Sequence, residues 1–210
     1  PPNFSIMHRR LVAKLDGYID APSKTFRRYS DTDNSVAALY ARCLAYFRHG
    51  NLKKAKILVD ELANREPQNP YFFELKGQMM FENGRINKAL RSYRKAVRLL
   101  PNAPLLRTAL AHVELETNRP DLIDDVVKNT EVALRMDPLI SMAWRLNGVA
   151  HGRKGKMGLS SLSLAEYNLL IGRKAQAAAL AKRAMRLLST GEPAWLRAQD
   201  IDNQVNQKGK

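Results

Sequence analysis

NPYFFELKGQMMFENGRINKALRSYRKAVRLLPNAP, running from Asn69 to Pro104, decides the fold. Its apolar spacing predicts two short amphipathic helices around the turn Glu82-Asn83-Gly84-Arg85, closed by Pro101. Small residues fall at Gly77, Ala89 and Ala96, and large ones at Phe73, Tyr93 and Leu99. A small residue lets two helix backbones approach, and a large one fills the space beside it. Such a hairpin leaves an apolar face it cannot bury alone, so it needs stacked copies of itself.

The copies are present. Gly50, Ala55 and Pro67 lie 34 residues before Gly84, Ala89 and Pro101, and Cys43 lies 34 before Gly77. This period and slot pattern resembles the tetratricopeptide repeat. The resemblance implies an all-α fold: a right-handed superhelical solenoid of four to five helical hairpins, with an N-terminal helix and a C-terminal capping helix.

Ser5 is a candidate cap for a first helix ending near Ile19. Ile6, Leu11, Val12, Leu15 and Tyr18 lie along one side of it, and His8, Arg9, Arg10 and Lys14 along the other. A short helix from Ser23 to Tyr29 and a polar loop, Ser30 to Ser35, complete a linker segment over 1–35. The array is expected over 36–201, with repeats at 36–69, 70–103, 104–140, 141–172 and 173–201, the last carrying the cap. Pro101 to Pro138 is 37 residues rather than 34, so about three extra residues are expected near Asn118 to Asp125, in the turn of repeat three. Trp195, Leu196 and Ile201 are expected to lid the last repeat, and Asp202 to Lys210 to fray.

The chain has 210 residues and a formal charge of +15, which points to acidic, nucleic-acid or anionic-lipid partners. No apolar run is long enough for a membrane span and no signal peptide is visible. The chain begins with Pro1 rather than Met, and a fragment or processed form is expected. A single cysteine excludes an internal disulfide framework. There is no HExxH, GxSxG or phosphate-binding glycine loop, so no catalytic residue, metal ligand or cofactor is assigned to this chain. His112-Val113-Glu114-Leu115-Glu116 superficially suggests metal ligands, but neither His nor Cys recurs at ligand spacing. Cys43 occupies the slot of Gly77 and reads as a small packing residue.

Binding is the expected activity. In tetratricopeptide arrays the first helix of each pair lines the concave face. That register places Tyr40, Leu44, Phe47 and Arg48 in the groove from repeat one, and Tyr71, Glu74, Gln78, Phe81 and Glu82 from repeat two. Repeat three adds Leu105, Thr108, His112 and Glu116, and repeat four adds Met142, Arg145, Val149 and Arg153. Aromatics with a few charges can anchor an extended peptide or a partner helix. Arg85, Lys88, Arg91, Arg94, Lys95 and Arg98 form a basic stripe on the second helix of repeat two, expected on the convex face. Because cations and aromatics fall on different surfaces, the stripe reads first as a solvated convex face, next as a site for anionic lipid or an acidic partner, and last as one for RNA.

More specific strings are NPYFFELKGQMMFENGR, KAVRLLPNAPLLRTALA, AWRLNGVAHGRKG, LSLAEYNLLIGR and EPAWLRAQDI, preceded by AKLDGYIDAP. In that order they resemble the C-terminal tetratricopeptide region of bacterial BepA-like periplasmic zinc metalloproteases. The resemblance implies a parent zinc metalloendopeptidase in the periplasm, acting in outer-membrane protein quality control. Zinc would sit only in a protease domain outside this chain. The repeats would hold substrate or partner proteins, including their own protease domain and outer-membrane assembly components. A self-standing repeat adaptor is the alternative.

Overall fold

The repeat period becomes pairs of helices of nearly equal length. A computed structural model describes the backbone of residues 2–207 and the side chains of residues 4–206. Among these residues two helices come first, α1 (Pro2–Ile19) and α2 (Pro22–Arg28). Paired helices follow: α3 (Val36–Arg48) with α4 (Leu52–Arg65), and α5 (Pro70–Glu82) with α6 (Ile86–Leu99). Next come α7 (Pro104–Glu116) with α8 (Ile123–Met136), and α9 (Ser141–Arg153) with α10 (Met157–Leu170). The last pair is α11 (Lys174–Leu187) with α12 (Pro193–Gln207), and no strand occurs among the described residues. Contacts divide the chain into two compact units, 1–99 and 100–210.

Local chemistry sets the helix ends. The side chains of Ser35, Asn51 and Asn69 accept the backbone N–H groups of Ala38, Lys54 and Tyr71, which removes orphan donors at three helix starts. After α5, Gly84 takes φ +68°, and the Arg85 N–H reaches the Met80 carbonyl at 2.8 Å, a left-handed helix stop. Repeat three departs at the same place: Asn118 takes φ +53°, and a 3-10 turn, Pro120–Leu122, holds the residues beyond the common period. Asparagine tolerates this region better than most side chains because its short amide can bond locally.

In the first unit the small slots work as the sequence suggests. Gly77 lies flush against the Tyr93 ring, where a Cβ would stand 2.7 Å from the nearest ring atom. Cys43 is fully buried with its sulfur 3.4 Å from the Ala55 carbonyl, and burial pushes its thiol far up, so it packs rather than reacts. In the second unit Ala177, Ala181 and Ala184 are buried with Ala198 and Ile201 of α12. A buried polar ladder also crosses that unit. The Asn147 amide donates to the Thr130 hydroxyl at 2.9 Å, and the Ser163 hydroxyl donates to the Asn147 carbonyl at 2.7 Å. Such a ladder is satisfied in only one register of α8, α9 and α10.

Two local expectations need correction. α1 begins at Pro2, so Ser5 lies inside the helix rather than at its cap, while Pro1 lies outside the described residues. α12 runs to Gln207 instead of fraying from Asp202, because Ala198 and Ile201 anchor it and Val205 packs on the same cluster. Residues 208–210 lie outside the described residues. The face that α1 buries shapes the site.

Candidate peptide-binding groove

α1 docks on α3 through its smallest residues. Ala13 and Gly17 are buried, and a Cβ on Gly17 would stand 2.5 Å from the Ala41 carbonyl oxygen and 3.0 Å from the Leu44 Cβ. Two helices this close leave no room for a side chain at the crossing. The larger apolar residues of α1 face outward: Leu11, Leu15 and Tyr18 are exposed, as are Phe4 and Met7. Arg10 pairs with Glu66 in the loop before α5, and the Arg48 guanidinium lies 4.9 Å from the centroid of the Tyr18 ring.

Between α1, the start of α5 and that loop lies a cavity of about 850 Å³. Met7 and Leu11 of α1, Tyr71 and Phe72 of α5 and the buried Tyr40 line it, together with the charged Arg10, Lys14 and Glu66. Tyr71 is 51% exposed, and the buried Tyr40 ring meets Phe72 edge-on at 5.4 Å. Burial pushes the Glu74 carboxyl upward, and the nearby Lys14 ammonium opposes that shift.

The residues assigned to the groove by repeat register divide accordingly. Tyr40 and Leu44 are only 5% and 4% exposed: Leu44 lies under α1, and Tyr40 lines the cavity. Arg48 is held by Tyr18, and Phe47 and Phe81 are half-buried. Gln78 donates to Glu82 at 2.8 Å along the surface of α5. In the second unit Thr108 is buried and its hydroxyl donates to the Pro104 carbonyl at 2.8 Å, so it serves its own helix. Arg153 donates to the Leu115 carbonyl and the Asn118 amide oxygen, each at 3.2 Å, and so closes the turn of repeat three. His112, Glu116 and Arg145 do come together. The His112 ring lies 3.8 Å from Glu116, and burial lowers its pKa, with Glu116 opposing and Arg145 reinforcing the shift. Leu105 and Met142 are exposed in this unit.

Sequence reasoning missed Met7, Leu11, Arg10 and Lys14 of α1 and the loop from Glu66 to Asn69. The signal for them was Ala13 and Gly17, small residues four apart that mark a close helix crossing. It also missed Arg42, which is 3% exposed and donates to the carbonyls of Tyr29, Ser30 and Asp33.

The basic stripe also divides. Lys88, Arg91 and Lys95 line a cleft of about 380 Å³ together with Lys56 of α4 and Lys76 of α5. Arg85 and Arg98 are exposed outside it, and Arg94 is half-buried and engaged elsewhere. No group of three or more metal-ligating side chains occurs among the described residues. Glu114 is buried and accepts from the Asn129 amide at 2.9 Å, so it faces away from the His112–Glu116 pair. These residues do not fit a zinc site. No helix among the described residues is long and apolar enough to cross a membrane.

No family profile matches the chain. Human tetratricopeptide repeat protein 13 is 36% identical over 77 residues, a match spanning 34% of this chain and 9% of that protein. Among solved structures, YrrB, described as a tetratricopeptide protein with an unusual peptide-binding site, superposes with a TM-score of 0.65 at 17% identity, covering 83% of this chain and 90% of its own. MamA from Desulfovibrio magneticus superposes with a TM-score of 0.62 at 15% identity, covering 83% and 95%. With the hairpin pairs, the small-residue slots and these likenesses together, the chain has the tetratricopeptide-repeat fold.

Proposed function

We propose that this chain is a non-catalytic module for protein–protein interaction, and that the cavity beside α1 takes a short apolar segment of another protein. The observation that carries this reading is a cavity of about 850 Å³ whose apolar walls come from the α1 stripe and Tyr71. Exposed apolar surface that is concave and rimmed by charge is a usual setting for an anchoring side chain. The charged Arg10, Lys14 and Glu66 that line it would bond the backbone or polar ends of the segment. The peptide-binding site named for YrrB is compatible with such a role on this fold.

Fluorescence polarisation with a labelled peptide alternating apolar and polar residues tests it. Tyr71→Ala and Leu11→Ala should each weaken binding by about tenfold, since each deletes roughly 1–3 kcal/mol of buried contact. Both positions are exposed, so the fold should be retained. Binding unchanged in both variants would sink the groove.

The finer reading is that the module is the substrate- or partner-binding tail of a periplasmic zinc metalloprotease. The strings from NPYFFELKGQMMFENGR to EPAWLRAQDI support it. On this reading zinc belongs to the protease domain, and the groove presents outer-membrane proteins or their assembly components to it. Reading the gene upstream of Pro1 is the direct check: an HExxH-bearing open frame is expected, and a frame without it removes the protease. A self-standing adaptor is the second reading. It predicts a start codon close to Pro1, where the protease reading predicts a longer upstream frame.

A further inference from the structure

The cleft between α4, α5 and α6 is a second candidate site, independent of the groove. Five cationic side chains converge there, Lys56, Lys76, Lys88, Arg91 and Lys95, around the edge of Phe73. The Asp60 carboxylate pairs with two of them, Lys56 at 2.6 Å and Lys76 at 2.7 Å. Burial pushes that carboxyl up, yet bonding to the two lysines holds it below the usual range, so it stays ionised and fixes both ammonium groups. Five cations line a space of about 380 Å³, and two of them share the Asp60 carboxylate.

We propose that this cleft binds an acidic polypeptide segment carrying interspersed apolar side chains. Like charges gathered in one recess repel one another, and an anionic ligand relieves that repulsion while raising the association rate. The cleft is also too apolar for a purely ionic site, because Phe73, Met80 and the lysine stems line it. Nucleic acid fits less well. Phe73 is the one aromatic ring among the described residues that line the cleft, and the Lys95 ammonium already lies 5.7 Å from its centroid, where stacking along a strand would use several open rings. A bilayer surface fits less well too, because the cleft's apolar atoms line a recess and do not protrude from its rim.

The experiment uses the whole chain and four probes: a labelled peptide alternating glutamate and leucine, its glutamine–leucine counterpart, single-stranded polyuridine, and phosphatidylglycerol vesicles. The acidic peptide should bind best, and its affinity should fall with added salt. Combined Lys88→Glu, Arg91→Glu and Lys95→Glu should weaken it by at least roughly tenfold. If that variant fails to fold, Arg91→Gln, which neutralises one exposed charge, should still weaken binding severalfold. All four probes are also measured on a Tyr71→Ala background, which lacks the groove's anchor, so that binding there reports the cleft; an acidic peptide that no longer binds on that background belongs to the groove and overturns the proposal. Equal binding of the glutamine peptide, tighter binding of polyuridine or vesicles, or indifference to charge reversal would each overturn it as well.

Discussion

Gly17→Leu is expected to lift α1 off α3 and dismantle the groove. Even a methyl at this position would stand 2.5 Å from the Ala41 carbonyl oxygen and 2.9 Å from the Ala41 Cα, both backbone atoms that cannot rotate away. Leucine favours a helix more than glycine by roughly 0.8 kcal/mol, so the substitution strengthens α1 in isolation while forbidding its docked position. A detached helix of 18 residues is marginal in water and should largely unfold. Amide exchange across α1 should therefore accelerate at least about tenfold, and the apolar peptide that Tyr71 anchors should no longer bind. The outcome that would refute this picture is an α1 that stays protected with the groove still competent. Gly17→Ala should lie between the two states.

Arg42→Met should be the costliest change at a buried polar position of the first unit. Methionine keeps most of the packing volume but removes the guanidinium that bonds the Tyr29, Ser30 and Asp33 carbonyls. Bonds to a charged donor are the stronger kind, but Ser30 and Asp33 are exposed, so water recovers part of the loss. A loss of about 2–3 kcal/mol is expected, seen as a fall of roughly 5–10 °C in thermal midpoint. The loop over 29–35 should become sensitive to proteolysis before the rest of the unit. A variant as stable as the parent, with that loop intact, would show that the carbonyls need no buried donor.

These two positions also mark what a sequence shows and what it hides. The hairpin period was legible because Gly77, Ala89, Ala96 and Cys43 sit where backbones must approach, and that demand recurs in every copy. Repeat register assigned Tyr40, Leu44 and Thr108 to a groove, and all three are buried. It did not reveal that a helix outside the repeat lies over Leu44, because α1 carries no repeat signature and docks through Ala13 and Gly17 instead of its large residues. The side of α1 that carries Leu11 and Leu15 is therefore left exposed. Along α6 the cations were visible from their spacing. Their convergence with Lys56 and Lys76 was not, because it depends on how α4 and α5 pack beside it. Arg42 stands at a core position of α3, and only the fold of the preceding loop explains a buried charge there.

The lone thiol carries a practical consequence. Cys43 is wholly enclosed between α3 and α4, and it is the one cysteine in 210 residues. A thiol-specific reagent can reach it only while the first hairpin is transiently open, so the labelling rate reads the opening equilibrium of that hairpin directly. The native chain thus contains its own stopwatch. A ligand that clamps α1 and α5 should slow it, and one that acts elsewhere should leave it running at the same pace.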